Sequence, residues 1–197
     1  MNITIYNAAE SGINTNLDKL VQEIHELLLS EHQVSTVKLR HLNLNYCNGC
    51  WGCWVKTPGQ CIIQDDMELI HRSFIQSDLV IFAAQMRMGF PSALLKKVHD
   101  RLIPLMHPYI ELVNGECHHL MRYEKYPLWG LILEEEEKGD AEDIKMVSEI
   151  YERTALNIRS SLLFTCTASQ SADQIVFENN LADLSSRYEK QKDLMAS

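Results

Sequence analysis

Ser77-Asp78-Leu79-Val80-Ile81-Phe82-Ala83-Ala84 holds six apolar residues in a row behind a polar pair. Such a run predicts a strand covered on both faces, the kind found in parallel sheets between helical layers. Segments of the same character recur on either side of it. Ile3 to Tyr6 and Val34 to Leu39 precede it, and Leu128 to Leu133 and Ser161 to Cys166 follow. Amphipathic patterns fill the gaps. Leu17, Leu20, Val21, Ile24, Leu27 and Leu28 share one helical face. Asp65-Asp66 opens a second helix through Met67, Leu69, Ile70 and Phe74, its two acids suiting the cap and the dipole. Pro91 suits a third helix start, continued by Ala93, Leu94, Val98 and Leu102. Residues 140–158 carry Ile144, Val147, Ile150, Tyr151 and Ile158 on a fourth, and residues 178–194 predict a last amphipathic helix.

Strands alternate with helices five times. The reading is an α/β domain: a five-stranded parallel sheet in the flavodoxin-like order 2-1-3-4-5, with helices on both faces. Ligands in such sheets bind outside the carboxyl ends of the strands. A chain of 197 residues fits one domain, residues 1–197, and buries a core without disulfide staples. The net charge of −9 and the lack of a basic stripe disfavour nucleic acid. No apolar stretch is long enough to span a membrane. The start Met-Asn-Ile-Thr-Ile-Tyr does not read as an export signal, so the cytoplasm is the expected compartment. Six cysteines then read as thiols or metal ligands and not as disulfides.

Two segments stand outside the alternation. Tyr109 to Leu120 reads as a hairpin around Asn114-Gly115, within an excursion over residues 109–126. It carries Cys117-His118-His119 and is expected at the amino-end edge of the sheet, away from any site at the carboxyl edge. The other segment is Arg40 to Gln64, long and rich in Cys, Gly and Trp. It holds Cys47-Asn-Gly-Cys50-Trp-Gly-Cys53, seven further residues, then Cys61. Four thiolates at this spacing can wrap one soft metal centre, a [4Fe–4S] cluster or zinc. They can also be reduced cysteines packing an irregular loop with Trp51 and Trp54.

The block Cys47 to Cys53, with Gly59-Gln-Cys61-Ile-Ile-Gln-Asp65-Asp66-Met67, resembles the signature of the NADPH-dependent FMN reductase superfamily. It is most similar to the iron–sulfur flavoprotein branch, whose compact cysteine motif binds a cluster near FMN. The resemblance runs on through Ser77-Asp78-Leu-Val-Ile-Phe and Gly89-Phe-Pro91-Ser92-Ala93-Leu-Leu-Lys96-Lys97-Val-His-Asp100-Arg101. It implies an FMN-dependent oxidoreductase that oxidises NAD(P)H and serves a small electron acceptor or a redox protein. It also implies a homo-oligomer, with the hairpin and the last helix as interface candidates. Cys47, Cys50, Cys53 and Cys61 become the expected ligands of a [4Fe–4S] cluster.

The resemblance places the FMN phosphate on Ser11, Asn14 and Thr15, at the start of the first helix. Relatives carry Gly-Ser-Pro-Arg before Asn-Thr; here Ala8 replaces the first Ser and Glu10 sits near the usual Arg. A carboxylate there repels a phosphate, so Glu10 either points to solvent or marks an altered site. The flavin ring falls to Ala84, Gln85, Met86, Arg87, Met88 and Gly89. Backbone N–H groups would serve its polar edge, Arg87 a positive charge, and Met86 and Met88 an adaptable surface. The acids Glu134 to Glu137 read as a solvated loop. No side chain stands out as a catalytic acid, base or nucleophile.

Overall fold

A computed structural model describes residues 1–10, 15–113, 115–137 and 139–184 of the chain. Strand β3 (Leu79–Arg87) is the axis of the sheet. It pairs in parallel with β1 (Asn2–Ala8) on one side and β7 (Leu128–Glu134) on the other. β2 (Gln33–Lys38) flanks β1 and β8 (Leu162–Thr167) flanks β7, giving the order β2-β1-β3-β7-β8. Counted along the main sheet alone, that is the expected 2-1-3-4-5.

The alternation of side chains along β3 divides the core. Ile81 and Ala83 face α1 (Asn16–Leu28) and α6 (Ala172–Glu178), with Ile3, Ile5, Ile24 and Ile132 around them. Val80 and Phe82 face the other layer, with Tyr6, Phe74, Trp129 and Tyr151. That layer is α3 (Met67–Gln76), α4 (Ala93–Asp100) and α5 (Ala141–Asn157). Phe82 meets Trp129 and Tyr151 edge-on at centroid distances of 5.1 and 5.7 Å. Burying each such aliphatic or aromatic side chain stabilises the fold by about 1.5–3 kcal/mol, so both layers hold the central strand.

Three details differ from expectation. Pro91 does not start α4; it pairs with Met86 in a two-residue antiparallel strand, β4 (Phe90–Pro91), and Ser92 is the N-cap position. The last helix among the described residues is Ala172–Glu178, earlier than the expected start at 178. Its start is set by a capping box between Ser171 and Gln174. Residues 179–182 are turns, and 185–197 lie outside the described residues. A four-residue helix, α2 (Gly52–Val55), interrupts the cysteine loop.

The hairpin is present as β5 (Met106–Val113) and β6 (Glu116–Met121). Its register sets Ile110 opposite His119 and Leu112 opposite Cys117. Asn114 lies outside the described residues. A two-stranded hairpin is marginal alone; this one is tied to the α5 segment by ion pairs from Arg153 to Glu116 (3.0 Å) and Arg159 to Glu111 (2.5 Å).

Candidate functional site

The cysteine loop leaves β2 at its carboxyl end and is fixed first by its own ends. Asp65 accepts hydrogen bonds from Asn45 N (2.9 Å), Asn45 Nδ2 (3.0 Å) and Met67 N (3.1 Å). The N-cap position of α3 is Asp66, whose side chain makes no capping bond; Asp65, one residue earlier, takes the N–H of the first helical residue. Asp66 instead accepts from Asn43 N at 2.7 Å. Arg101, just past α4, forks onto Asp65 at 2.6 and 2.9 Å. Burial alone would raise the Asp65 carboxyl, but the bonds from Arg101 and Asn45 outweigh it and hold it well below the usual carboxylate range.

Between those ends all four cysteines, Cys47, Cys50, Cys53 and Cys61, line one cleft. Ile62, Asp100, Arg101, Ile103 and Pro104 complete much of its wall. It holds about 430 Å³ of space not filled by atoms, part of it open to solvent. Gly52 lets the loop close, since a Cβ there would lie 2.6 Å from Ile62 Cγ2. Trp51 and Trp54 stack at 4.9 Å. Burial, then the charge on Cys61, Cys50 and Cys47, pushes the Cys53 thiol up, which marks the four as one electrostatic group.

The hairpin is not remote from this loop, as the sequence suggested. Trp54 Nε1 donates to the carbonyls of Ile103 (3.2 Å) and Met106 (3.0 Å), at the hairpin base. His119 meets the Trp54 ring at 5.2 Å. The loop is long enough to fold over the helical layer, and a half-buried indole N–H needs acceptors that the hairpin base provides. Cys117 and His118 stay out of the cysteine cleft and line a separate groove against α5.

The flavin-side residues form a second cluster, and none of residues 84–89 lines the cysteine cleft. Ser11 and Asn14 lie outside the described residues. Thr15 is the N-cap of α1, accepting from Asp18 N at 3.1 Å. Asp18 is turned inward to Asn7 (2.8 Å) and Arg40 (2.9 Å). Ala84 and Met86 are buried, whereas Met88 is 97% exposed. Gln85 bridges two loops, accepting from Glu10 N (3.0 Å) and donating to Glu134 (2.7 Å). Arg87 pairs with Glu10 at 3.3 Å and donates to its own neighbour, Met86 O, at 2.9 Å. Glu10 thus takes the charge that the sequence reading assigned to the ring.

Met88 and Gly89 both adopt positive φ, 55° and 73°. Two left-handed residues in a row turn their N–H groups toward one point, an anion-binding concavity. Glu136 fills it, accepting from Met88 N (2.8 Å) and Gly89 N (3.2 Å). Two of the backbone donors in the 84–89 segment are therefore already taken by a carboxylate of the chain. Glu136 had read as part of a solvated run. A buried Arg–Asp pair 36 positions apart likewise leaves no periodic signal, and only its place at two helix ends hinted at it.

Residues 5–115, more than half of the chain, match the family model described as NADPH-dependent FMN reductase. An iron–sulfur flavoprotein of Archaeoglobus fulgidus is 34% identical over 84 residues, 43% of this chain and 37% of that protein. An iron–sulfur flavoprotein of Clostridioides difficile is 33% identical over 96 residues, 48% of this chain and 40% of that protein. The match thus spans about two fifths of each curated relative. Among solved structures, an NAD(P)H:quinone oxidoreductase from Methanothermobacter marburgensis superposes with a TM-score of 0.59 at 11% identity. That match covers 99% of this chain and 97% of the other. An FMN-dependent NADH-azoreductase from Bacillus anthracis, in complex with FMN, gives 0.58 at 10% identity, covering 99% and 97%. At such identities these likenesses speak for the flavodoxin-like fold.

Proposed function

The chain belongs to the NADPH-dependent FMN reductase family, and from that membership we propose an FMN-dependent oxidoreductase that takes electrons from NAD(P)H and delivers them to a small acceptor or a redox protein. A [4Fe–4S] cluster on Cys47, Cys50, Cys53 and Cys61 completes the reading. The observation that carries it is the convergence of all four cysteines on one cleft, in a chain whose curated relatives are iron–sulfur flavoproteins.

Among the described residues, no three His, Cys, Asp or Glu side chains are gathered tightly enough to grip a single ion. Zinc draws thiolates to about 2.3 Å from its centre. A cluster spaces its ligands more widely, because iron and sulfide lie between them; what favours it here is the donor set itself, four thiols on one cleft. For FMN, the paired N–H groups of Met88 and Gly89 suit the polar edge of a ring, and the α1 N-terminus at Thr15 suits a phosphate; Ser11 and Asn14, outside the described residues, stay assigned to it by the resemblance alone. Bound FMN supplies hydride acceptance and onward electron transfer. The chain supplies the rest. Gln85 holds the loops after β1 and β7 in place, and Met88 and Gly89 orient the ring once Glu136 withdraws. A second copy of the chain is the partner we assign to the exposed Tyr109, Ile110 and Leu112 of the hairpin. No helix among the described residues is long and apolar enough to cross a membrane, and the cytoplasm remains our assignment.

A second reading rests on Glu136 and on the Glu10–Arg87 pair. If the chain's own carboxylates keep the flavin side closed, the protein is a flavin-poor relative that uses the cysteine loop for metal or partner binding. Anaerobic purification, followed by absorption spectra with FMN and iron counts per chain, separates the two. Flavin bands with bound iron support the first. Iron without flavin, and no uptake of added FMN, leaves the second.

A further inference from the structure

Arg101 is 1% exposed and lies outside the cysteine motif, yet its guanidinium touches the cysteine loop at four residues. Nη1 donates to Asn45 O (3.1 Å) and Asp65 Oδ2 (2.6 Å). Nη2 donates to Asp65 Oδ1 (2.9 Å), Ile63 O (3.3 Å) and Cys61 Sγ (3.4 Å). Asn45 and Asp65 bracket the four cysteines, so one planar group both closes the loop and reaches a sulfur inside it. Among the described residues, Cys61 is the loop cysteine whose sulfur takes a side-chain hydrogen bond.

We infer that Arg101 is a positioning residue for the cysteine centre: it fixes Cys61 as the fourth ligand and, through its N–H on Sγ, sets the centre's redox potential. This rests on the cluster reading above. A donor on a ligand sulfur withdraws electron density and favours the reduced, more negative form, so it raises the potential. The asymmetry follows from the geometry: the effect enters at Cys61 and not at Cys47 or Cys50, which are exposed. Lysine cannot replace it. Its single ammonium could pair with Asp65 but cannot fork to Asn45, Ile63 and Cys61 as well.

The test compares anaerobically reconstituted wild type, Arg101→Lys, and the double variant Asp65→Asn/Arg101→Gln, which leaves no unpaired buried charge. Far-UV circular dichroism checks folding; iron per chain, iron loss to a chelator and midpoint potential are read. Both variants are expected to release iron several-fold faster than wild type and to show a more negative potential. Folded variants that match wild type in both overturn the inference while the cluster reading stands. A second measurement needs no variant. Wild type labelled with ¹⁵N at the arginine guanidino nitrogens should show a ¹⁵N coupling to the reduced cluster in pulsed EPR. Absence of that coupling overturns the inference whatever the variants do. Wild type that takes up no iron defeats the cluster reading and this inference with it.

Discussion

Asp65 and Arg101 meet with side chains 0% and 1% exposed, whereas Glu10 and Arg87 meet at 42% and 48%. The two pairs use the same chemical groups for different ends. The first is desolvated and bidentate, with every guanidinium contact made through Nη1 and Nη2 and Nε left unpaired, and it welds the cysteine loop to the core between α3 and α4. The second is a loose surface contact that joins one flavin-side loop to another. A buried pair broken on one side leaves an uncompensated charge, while an exposed pair gains little over water. The cysteine cleft is therefore built with the fold. The flavin-side loops rest on contacts among themselves that a ligand can replace at small cost.

The largest effect should come from breaking the buried side. Asp65→Ala strands the Arg101 guanidinium and is expected to lower stability by about 3–5 kcal/mol, read from urea unfolding. A loss under about 1 kcal/mol, the level of a surface pair, erases the contrast. The carboxyl also gives a pH signature. Its folded-state pKa lies below the unfolded value of about 3.9. Its contribution is complete above that value and is lost as pH falls through the folded pKa. Asp65→Asn should remove this part of the acid limb, leaving a flatter stability profile below about pH 4.

Next comes the carboxylate in the flavin-side concavity. A hydrogen bond to a charged group is worth about 1.5–3 kcal/mol, and Glu136 makes two with Met88 and Gly89. Glu136→Ala frees both donors and should tighten FMN binding by about tenfold, or ~1.4 kcal/mol, measured by quenching of flavin fluorescence. Unchanged or weaker binding would show that Glu136 is no competitor. A third change probes the join between loop and hairpin. Trp54→Phe keeps the ring but removes its donor to Ile103 and Met106. A loss of about 1 kcal/mol is expected. A loss near zero in thermal melts means that the stacking and not the hydrogen bond holds the join.

How far the sequence revealed this follows the same divide. The five strands of the main sheet and their order were readable, because β3 and its neighbours carry unbroken apolar runs. The cysteine block was readable as a group, because its spacing is local. The Ser171–Gln174 capping box was equally local, yet the helix it opens at Ala172 was not read from the sequence. What escaped was tertiary. Asp65 and Asp66 were read as opening α3, and Asp65 does take a first-turn N–H, but its pairing with Arg101 joins the ends of different helices. Glu136 looked like one acid in a solvated run, and only the left-handed turn at Met88–Gly89 gives it a partner. Trp54 betrayed nothing of its acceptors at Ile103 and Met106, which exist only once the loop folds over the helical layer.

The smallest effect belongs to the exposed pair itself. Arg87 Nε lies 3.3 Å from Glu10 Oε2, in a region where water competes with both ends. Holding two long side chains in one geometry costs entropy, and salt screens their attraction. A double-mutant cycle of Arg87→Gln and Glu10→Gln should therefore give a coupling below about 1 kcal/mol, and less again at ionic strengths near 1 M, where the screening length is about 3 Å. Each single variant should melt close to wild type, because Arg87 keeps no buried partner waiting and Gln85 still bridges Glu10 N to Glu134. A salt-insensitive coupling of several kcal/mol would mean that the flavin-side loops are as firmly fixed as the cysteine loop. Glu136 would then be part of a rigid closure, and the flavin-poor reading would gain over the reductase.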